Sequence, residues 1–200
     1  MTSNYSTQNQ LLLTKLLEFY KGTDYLDKML DIINGQSRIS LRIIDWFSTN
    51  YAKKYFTVYD IKKNDETVRF KVYADYKRRL DGYSKRRFDP FCRWERITIP
   101  YKENTSIQTT IGQLNFFKWA IENNVIDYIE TNFKHIEADM NQRNSTAKRR
   151  TSIKDNTDKK SKETKGKGKG NKTRKRREEL SISAAKTIKK EDIEIVIKFD

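Results

Sequence analysis

The chain of 200 residues carries 42 Lys and Arg against 27 Asp and Glu, a formal net charge of +15. No apolar run reaches the roughly 18 residues of a membrane span, so a spanning helix is excluded on sequence. Single copies of cysteine (Cys92) and histidine (His135) exclude an intramolecular disulfide and a zinc site of Cys and His ligands, and the lone cysteine suits a reducing, intracellular compartment or indifference to redox.

Residues 1–8 are expected to be a flexible N-terminus. They show neither the basic region and small-residue cleavage site of a signal peptide nor a glycine at position 2 for myristoylation. Helical spacing begins with Leu11, Leu12, Leu16, Leu17 and Tyr20, with Gly22 as the stop. Asp24 is placed to cap a short second helix whose apolar positions are Leu26, Met29, Leu30 and Ile33, ending at Gly35. A third helix is predicted from Ser40 to Lys54, where Leu41, Ile44, Phe47 and Tyr51 make a stripe widened by Ile43 and Trp46. It reads as the best-buried helix of the chain.

The period changes after Tyr55. Thr57–Ile61 and Thr67–Tyr73 read as a hairpin around a polar turn, Trp94–Tyr101 as a third strand in which Pro100 marks an edge or a strand end, and Ile107–Thr110 as extended. Thr109 or Thr110 then opens a helix with Leu114, Phe117, Ala120 and Ile121 on one face. Asn123-Asn124 breaks it, and a second helix runs on to about Gln142. Near the C-terminus Ile193, Ile195, Ile197 and Phe199 alternate with Glu194, Val196 and Lys198, the pattern of a half-buried strand. One strand is not stable alone, so it is expected to return to the sheet of residues 57–101. The fold class that follows is α+β: a small antiparallel sheet of about four strands packed with helices.

Positive charge is concentrated between Ala147 and Arg177, where fifteen Lys and Arg face only Asp155, Asp158 and Glu163. With Ile153 its only large apolar residue, this stretch buries too little to offset its ordering entropy. The expected organisation is therefore a globular domain over 9–146, a disordered basic loop over 147–178 and a C-terminal segment over 179–200. As a flexible coil the loop spans roughly 30 Å.

This loop is the first candidate binding element. Lys148, Arg149, Arg150, Arg174, Lys175, Arg176 and Arg177 form its densest clusters, and such clusters release counterions from a phosphate backbone without selecting a sequence. The same composition also fits a nuclear import signal, an anionic lipid contact or a solubilising spacer. A second candidate lies in the folded body. Lys77, Arg78, Arg79, Lys85, Arg86 and Arg87 interleave with Tyr76, Tyr83, Phe88 and Trp94, a composition suited to base stacking and phosphate contact. Between Lys77 and Arg96 eight cations face three acids, Asp81, Asp89 and Glu95. For the aromatics the simpler expectation is burial in the core. Phe88-Asp89-Pro90-Phe91 reads as a turn that pins this basic stretch down, because Pro90 drives Asp89 out of the helical region.

Catalysis has little sequence support. No phosphate-binding glycine loop or metal-ligand spacing occurs, and Gly166, Gly168 and Gly170 fall in the lysine run rather than in a cradle. Cys92 beside Phe91 reads as a small buried thiol, and His135 as an exposed or capping imidazole on a helix. Neither an enzyme activity nor a cofactor is expected.

Four segments carry a resemblance: Ile39–Phe47 (ISLRIIDWF), Tyr83–Cys92 (YSKRRFDPFC), Thr109–Asn123 (TTIGQLNFFKWAIEN) and Glu179–Ala184 (ELSISA). They resemble an uncharacterised family of proteins from nucleocytoplasmic large DNA viruses, with the basic stretch as an insert. The resemblance implies a viral origin and supplies no catalytic residues, fold or partner. The function expected from the sequence is a non-enzymatic viral protein that binds DNA or RNA backbone electrostatically, in the virus factory, host nucleus or virion. The alternative is a structural virion or capsid-associated adaptor meeting acidic protein or membrane surfaces.

Overall fold

A computed structural model describes residues 2–63, 65–102, 105–143 and 191–192. The basic loop and the alternating Ile193–Phe199 segment lie outside the described residues. Helices α1 (Thr2–Tyr20) and α2 (Tyr25–Asn34) come first, with Gly22 at φ 70° and Gly35 at φ 74° at their ends. The Gly35 N–H reaches back to the carbonyl of Ile32, the left-handed cap that glycine adopts without a Cβ penalty. Asp24 precedes α2 but makes no side-chain cap; its carboxylate pairs with Lys28 instead, at 3.1 Å.

The predicted third helix is three pieces in one rod: α3 (Leu41–Trp46), a π-helical turn (Phe47–Tyr51) and α4 (Ala52–Lys54). Ser40 opens it, its hydroxyl accepting from the Ile43 N–H at 3.3 Å. The hairpin follows as β1 (Val58–Lys63) and β2 (Glu66–Lys71), with Tyr59 opposite Phe70 and Ile61 opposite Val68. The chain turns helical at Val72, and α5 (Val72–Arg87) takes over residues expected to extend the strand. Next come β3 (Ile97–Pro100) and β4 (Thr105–Thr109), paired antiparallel, and then α6 (Ile111–Glu122). Helix α7 (Val125–Thr131) and a further helix, α8, over 133–143 complete the body. A two-residue strand, β5 (Glu191–Asp192), pairs antiparallel with β4.

The class is α+β, but among the described residues the strands form two separate sheets: β1-β2, and β3-β4-β5. The single sheet expected from the sequence is corrected here. Alternation identifies a strand but not its partner, and α5 separates the two hairpins along the chain. The single helix expected after Asn124 is likewise two, because the backbone breaks at Asn132.

Among the described residues helix α6, not the Ser40–Lys54 rod, is the best-buried helix. Leu114, Phe116, Phe117, Trp119 and Ala120 are all fully buried, and so are the polar Gln113 and Asn115. Burying a side chain the size of Leu or Phe stabilises by about 1.5–3 kcal/mol. The polar pair is tolerated because its hydrogen bonds are made inside: the Gln113 amide donates to the Pro90 carbonyl at 2.9 Å and that of Asn115 to the Arg87 carbonyl at 2.8 Å. Helices α1, α5 and α7 pack around α6, and the buried Tyr20 hydroxyl donates to the Leu114 carbonyl at 2.8 Å. Burial, reinforced by the negative charge of Glu122, pushes that phenol well above its ordinary value. No helix among the described residues is long and apolar enough to cross a membrane.

Gly112 is where α6 meets α5. A Cβ there would stand 2.8 Å from the Arg86 carbonyl oxygen, a backbone atom that cannot swing aside. Gly112→Ala is expected to cost about 1–3 kcal/mol through this overpacking. Thermal unfolding checks it, and an unchanged midpoint would show that the two helices are free to separate.

Candidate nucleic-acid interface

Helix α5 carries six of the cations singled out in the sequence. Its backbone is broken at Ser84 (φ 60°, ψ 168°), which divides them into two groups with different surroundings. In the first group Lys77 pairs with Asp81 at 2.6 Å, while Arg78 and Arg79 share the Asp75 carboxylate at 3.3 and 3.2 Å. Asp75 is itself fixed by the Trp119 indole N–H at 2.8 Å. Local acids therefore meet these three cations more fully than the charge count between Lys77 and Arg96 suggests, because Asp75 lies just outside that stretch. The Lys77–Asp81 pair is exposed and contributes little to stability, so phosphate can compete for Lys77, whereas Asp75 and Arg79 are partly buried and more firmly held.

The second group, Lys85, Arg86 and Arg87, follows the kink. The Arg86 guanidinium lies 5.7 Å from the centre of the Trp94 ring, which is 41% exposed. Arg87 donates to the Gln8 side chain at 3.3 Å. A crevice of about 40 Å³ opens among Asn9, Arg86, Arg87, Trp94, Glu95, Ile97 and Ile111, so one carboxylate stands among its cations.

A rigid base holds this strip. Phe88 and Phe91 are buried, and the Asp89 N–H donates to the Gly112 carbonyl at 3.2 Å. Asp89, 3% exposed, accepts from the Phe91 N–H and grips Arg93 with both oxygens at 2.8 and 2.7 Å. That two-pronged grip raises the guanidinium pKa further. The turn thus pins the basic stretch to α6, as its sequence predicts. The aromatics divide: Tyr76 and Phe88 enter the core and Tyr83 is half-buried, whereas Trp94 stays at the surface. Lys148, Arg149, Arg150, Arg174, Lys175, Arg176 and Arg177 lie outside the described residues.

A second surface was not legible in the sequence. Phe47, Tyr51 and Tyr55 are spaced four apart, and their ring centres are separated by 5.9 and then 4.5 Å along the π-helical turn and α4. Widened turns of this kind recur at functional positions. Beside them α8 presents Asp139, which is 8% exposed. Its carboxylate accepts from the Trp46 indole at 3.1 Å, from the Tyr55 hydroxyl at 3.0 Å and from the Lys54 ammonium. Burial pushes its pKa up, but these three donors outweigh burial and hold it below the ordinary 3.8. A cleft of about 480 Å³ opens here, lined by Tyr51, Tyr55, His135, Ala138, Asp139 and Gln142. His135 is thus an exposed helical residue as expected, and it borders this cleft. Cys92 is buried and is not among the lining residues. Among the described residues no cluster of three His, Cys, Asp or Glu is placed to hold a metal ion. The signal in the sequence was the four-residue aromatic spacing, which by itself reads as core.

Residues 2–189 match a family described as a family of unknown function (DUF7197). An uncharacterized protein of Acanthamoeba polyphaga mimivirus is 46% identical over 153 residues, which cover 73% of this chain and 58% of that protein. The match thus spans less than two thirds of the length of that curated relative. No solved structure matches the chain. The mimivirus relative agrees with the resemblance to proteins of large DNA viruses, and the family match covers nearly the whole sequence. The chain belongs to the DUF7197 family.

Proposed function

We propose that the chain is a non-enzymatic, nucleic-acid-associated protein of viral origin that binds the DNA or RNA backbone electrostatically. The observation that carries this reading is the strip of Lys85, Arg86 and Arg87 held beside the exposed Trp94 on a rigid base. The surplus of cations between Ala147 and Arg177 supports it from the sequence. Phosphate neutralisation by such groups is strong, salt-dependent and indifferent to sequence. A protein of this kind acts where viral genomes or transcripts lie: the virus factory, the host nucleus or the virion.

The test is a salt titration with unrelated DNA and RNA sequences. Affinity is expected to fall by about 10³–10⁵ between roughly 50 and 200 mM salt, the loss for about six to ten phosphate contacts. Deleting residues 147–177 should remove most of the binding and leave the fold intact. Combining Lys85→Ala, Arg86→Ala and Arg87→Ala should reduce the log–log salt slope by about 2–3, close to one unit per lost phosphate contact. Absence of binding at low salt would overturn the reading. Co-purification with virion proteins that survives nuclease treatment would favour the adaptor role instead.

A further inference from the structure

The corner after α4 is built against the ordinary preference of its residues. The Thr57 N–H closes back on the Ala52 carbonyl at 3.1 Å, the wide loop of a helix end whose penultimate residue turns left-handed. Glycine usually fills that position. Here it is Phe56, at φ 48° and 85% exposed. A bulky aromatic is disfavoured there twice, by its Cβ against the backbone and by its apolar ring in water. Helix termination gives no reason for a phenyl ring, since glycine would end the helix with less strain.

The surroundings indicate what the ring meets. Tyr55, the preceding residue, is 51% exposed and lines the cleft of about 480 Å³. Lys53 and Lys54 precede it on α4, and Lys71 stands opposite Val58 in the adjoining hairpin; all three lysines are exposed. Asp139, which lines the same cleft, is already occupied by Lys54, Tyr55 and Trp46. The Tyr55 ring packs against Tyr51 at 4.5 Å, so the open face is that of Phe56, and an exposed aromatic face bordered by lysines suits a planar, π-faced ligand on an anionic backbone. A cationic guest fits poorly, because the Lys54 ammonium already sits 4.7 Å from the Tyr55 ring centre and binds Asp139.

We infer that Phe56, at the Tyr55–Phe56 corner, is a stacking platform for an unpaired base of single-stranded nucleic acid, with Lys53 and Lys71 meeting the backbone. The inference rests on the electrostatic reading above and adds a strand preference to it. Duplexes hide their base faces, so the platform favours single strands and leaves duplex affinity to the phosphate contacts.

Phe56→Gly separates the platform from the fold, because it relieves the left-handed strain while deleting the ring. The full-length protein is titrated by fluorescence anisotropy with a labelled twelve-nucleotide oligothymidylate and with a duplex of equal length at matched salt. The wild-type protein is expected to bind the single strand more tightly. Phe56→Gly should weaken single-strand binding about tenfold, within the range for loss of one stacked base, with duplex binding unchanged and a melting temperature no lower than wild type. Phe56→Trp should retain the single-strand preference. Equal affinity of the wild-type protein for both probes, or a Phe56→Gly effect identical on both, would overturn the platform while leaving the electrostatic reading standing. Absence of binding to either probe would overturn both. Unchanged nucleic-acid binding with a loss of self-association in sedimentation would assign the ring to a second copy of this chain and overturn the platform.

Discussion

Trp119→Ala is expected to cost about 3–5 kcal/mol, the range for removing a buried tryptophan. Trp119 is fully buried, and its ring centre lies 5.4 Å from Phe116, 5.6 Å from Phe88, 5.9 Å from Tyr76 and 6.4 Å from Phe70. These four rings come from α6, the turn after α5, α5 itself and β2, so the indole joins elements that no backbone hydrogen bond of a common sheet connects. At about 2–4 °C per kcal/mol for a chain of this size, the melting midpoint should drop by roughly 6–20 °C. Trp119→Phe keeps much of the packing but removes the N–H donated to Asp75 at 2.8 Å, and about 1–2 kcal/mol should be lost. Both are read by thermal and urea unfolding. Because Asp75 also holds Arg78 and Arg79, Trp119→Phe tests whether that pair matters for binding. If Lys85, Arg86 and Arg87 form the effective strip, the salt slope should not change. A loss below about 1 kcal/mol for Trp119→Ala would mean the aromatic cluster is loosely packed and the helices are joined elsewhere.

The sequence carried helix boundaries wherever a boundary is a local matter. Ser40 and Thr110 each offer a hydroxyl to an N–H three residues on, Gly35 supplies a left-handed φ, and Asn124 adopts φ 52°. Each depends on neighbours within a few residues, so composition suffices to find it. Asp24 shows the limit, since a cap-competent side chain chose Lys28 over the helix end. Nonlocal choices were less legible. The hairpins could be seen, but their separation into two sheets depends on α5 starting at Val72, where β-branched and aromatic residues suggested a longer strand. The ranking of buried helices failed for a related reason. Gln113 and Asn115 look like surface residues until the carbonyls of Pro90 and Arg87 are placed against them.

The candidate interface was legible as charge but not as arrangement. Counting cations identified Lys77–Arg79 and Lys85–Arg87 equally, while the break at Ser84 and the position of Asp75 treat the two groups differently. Phe88 and Phe91 were placed correctly in the core, because an Asp-Pro turn between two aromatics has few ways to bury both. Phe56 was not singled out. Its significance rests on a φ value and an exposure, and neither is written in the identity of a phenylalanine that follows two tyrosine-spaced turns.

Asp139→Ala is expected to destabilise by about 2–4 kcal/mol, since it removes a buried carboxylate and leaves the Trp46 indole N–H without its acceptor. The residue ties α8 to α3 and α4 through three donors, so its loss loosens one wall of the cleft as well. The effect has a defined pH dependence. Hydrogen bonds from Lys54, Tyr55 and Trp46 overcome the opposing effect of burial, and the folded-state pKa lies below the ordinary 3.8. A carboxylate depressed in the folded state binds fewer protons there than in the unfolded chain. Its contribution is therefore complete above the unfolded value and is lost as pH falls through the folded one. Asp27 is depressed too, by its hydrogen bonds from Tyr101 and Lys102, so acid unfolding of the wild-type protein sums more than one group. The comparison that isolates Asp139 is the difference between wild type and Asp139→Asn, measured by urea unfolding across pH. That difference should be level at neutral pH and down to about pH 5, and should narrow at lower pH as the wild-type carboxylate gains its proton. A difference that stays constant to pH 2, or that grows as pH falls, would show that Lys54, Tyr55 and Trp46 do not depress the carboxylate's pKa in the folded protein.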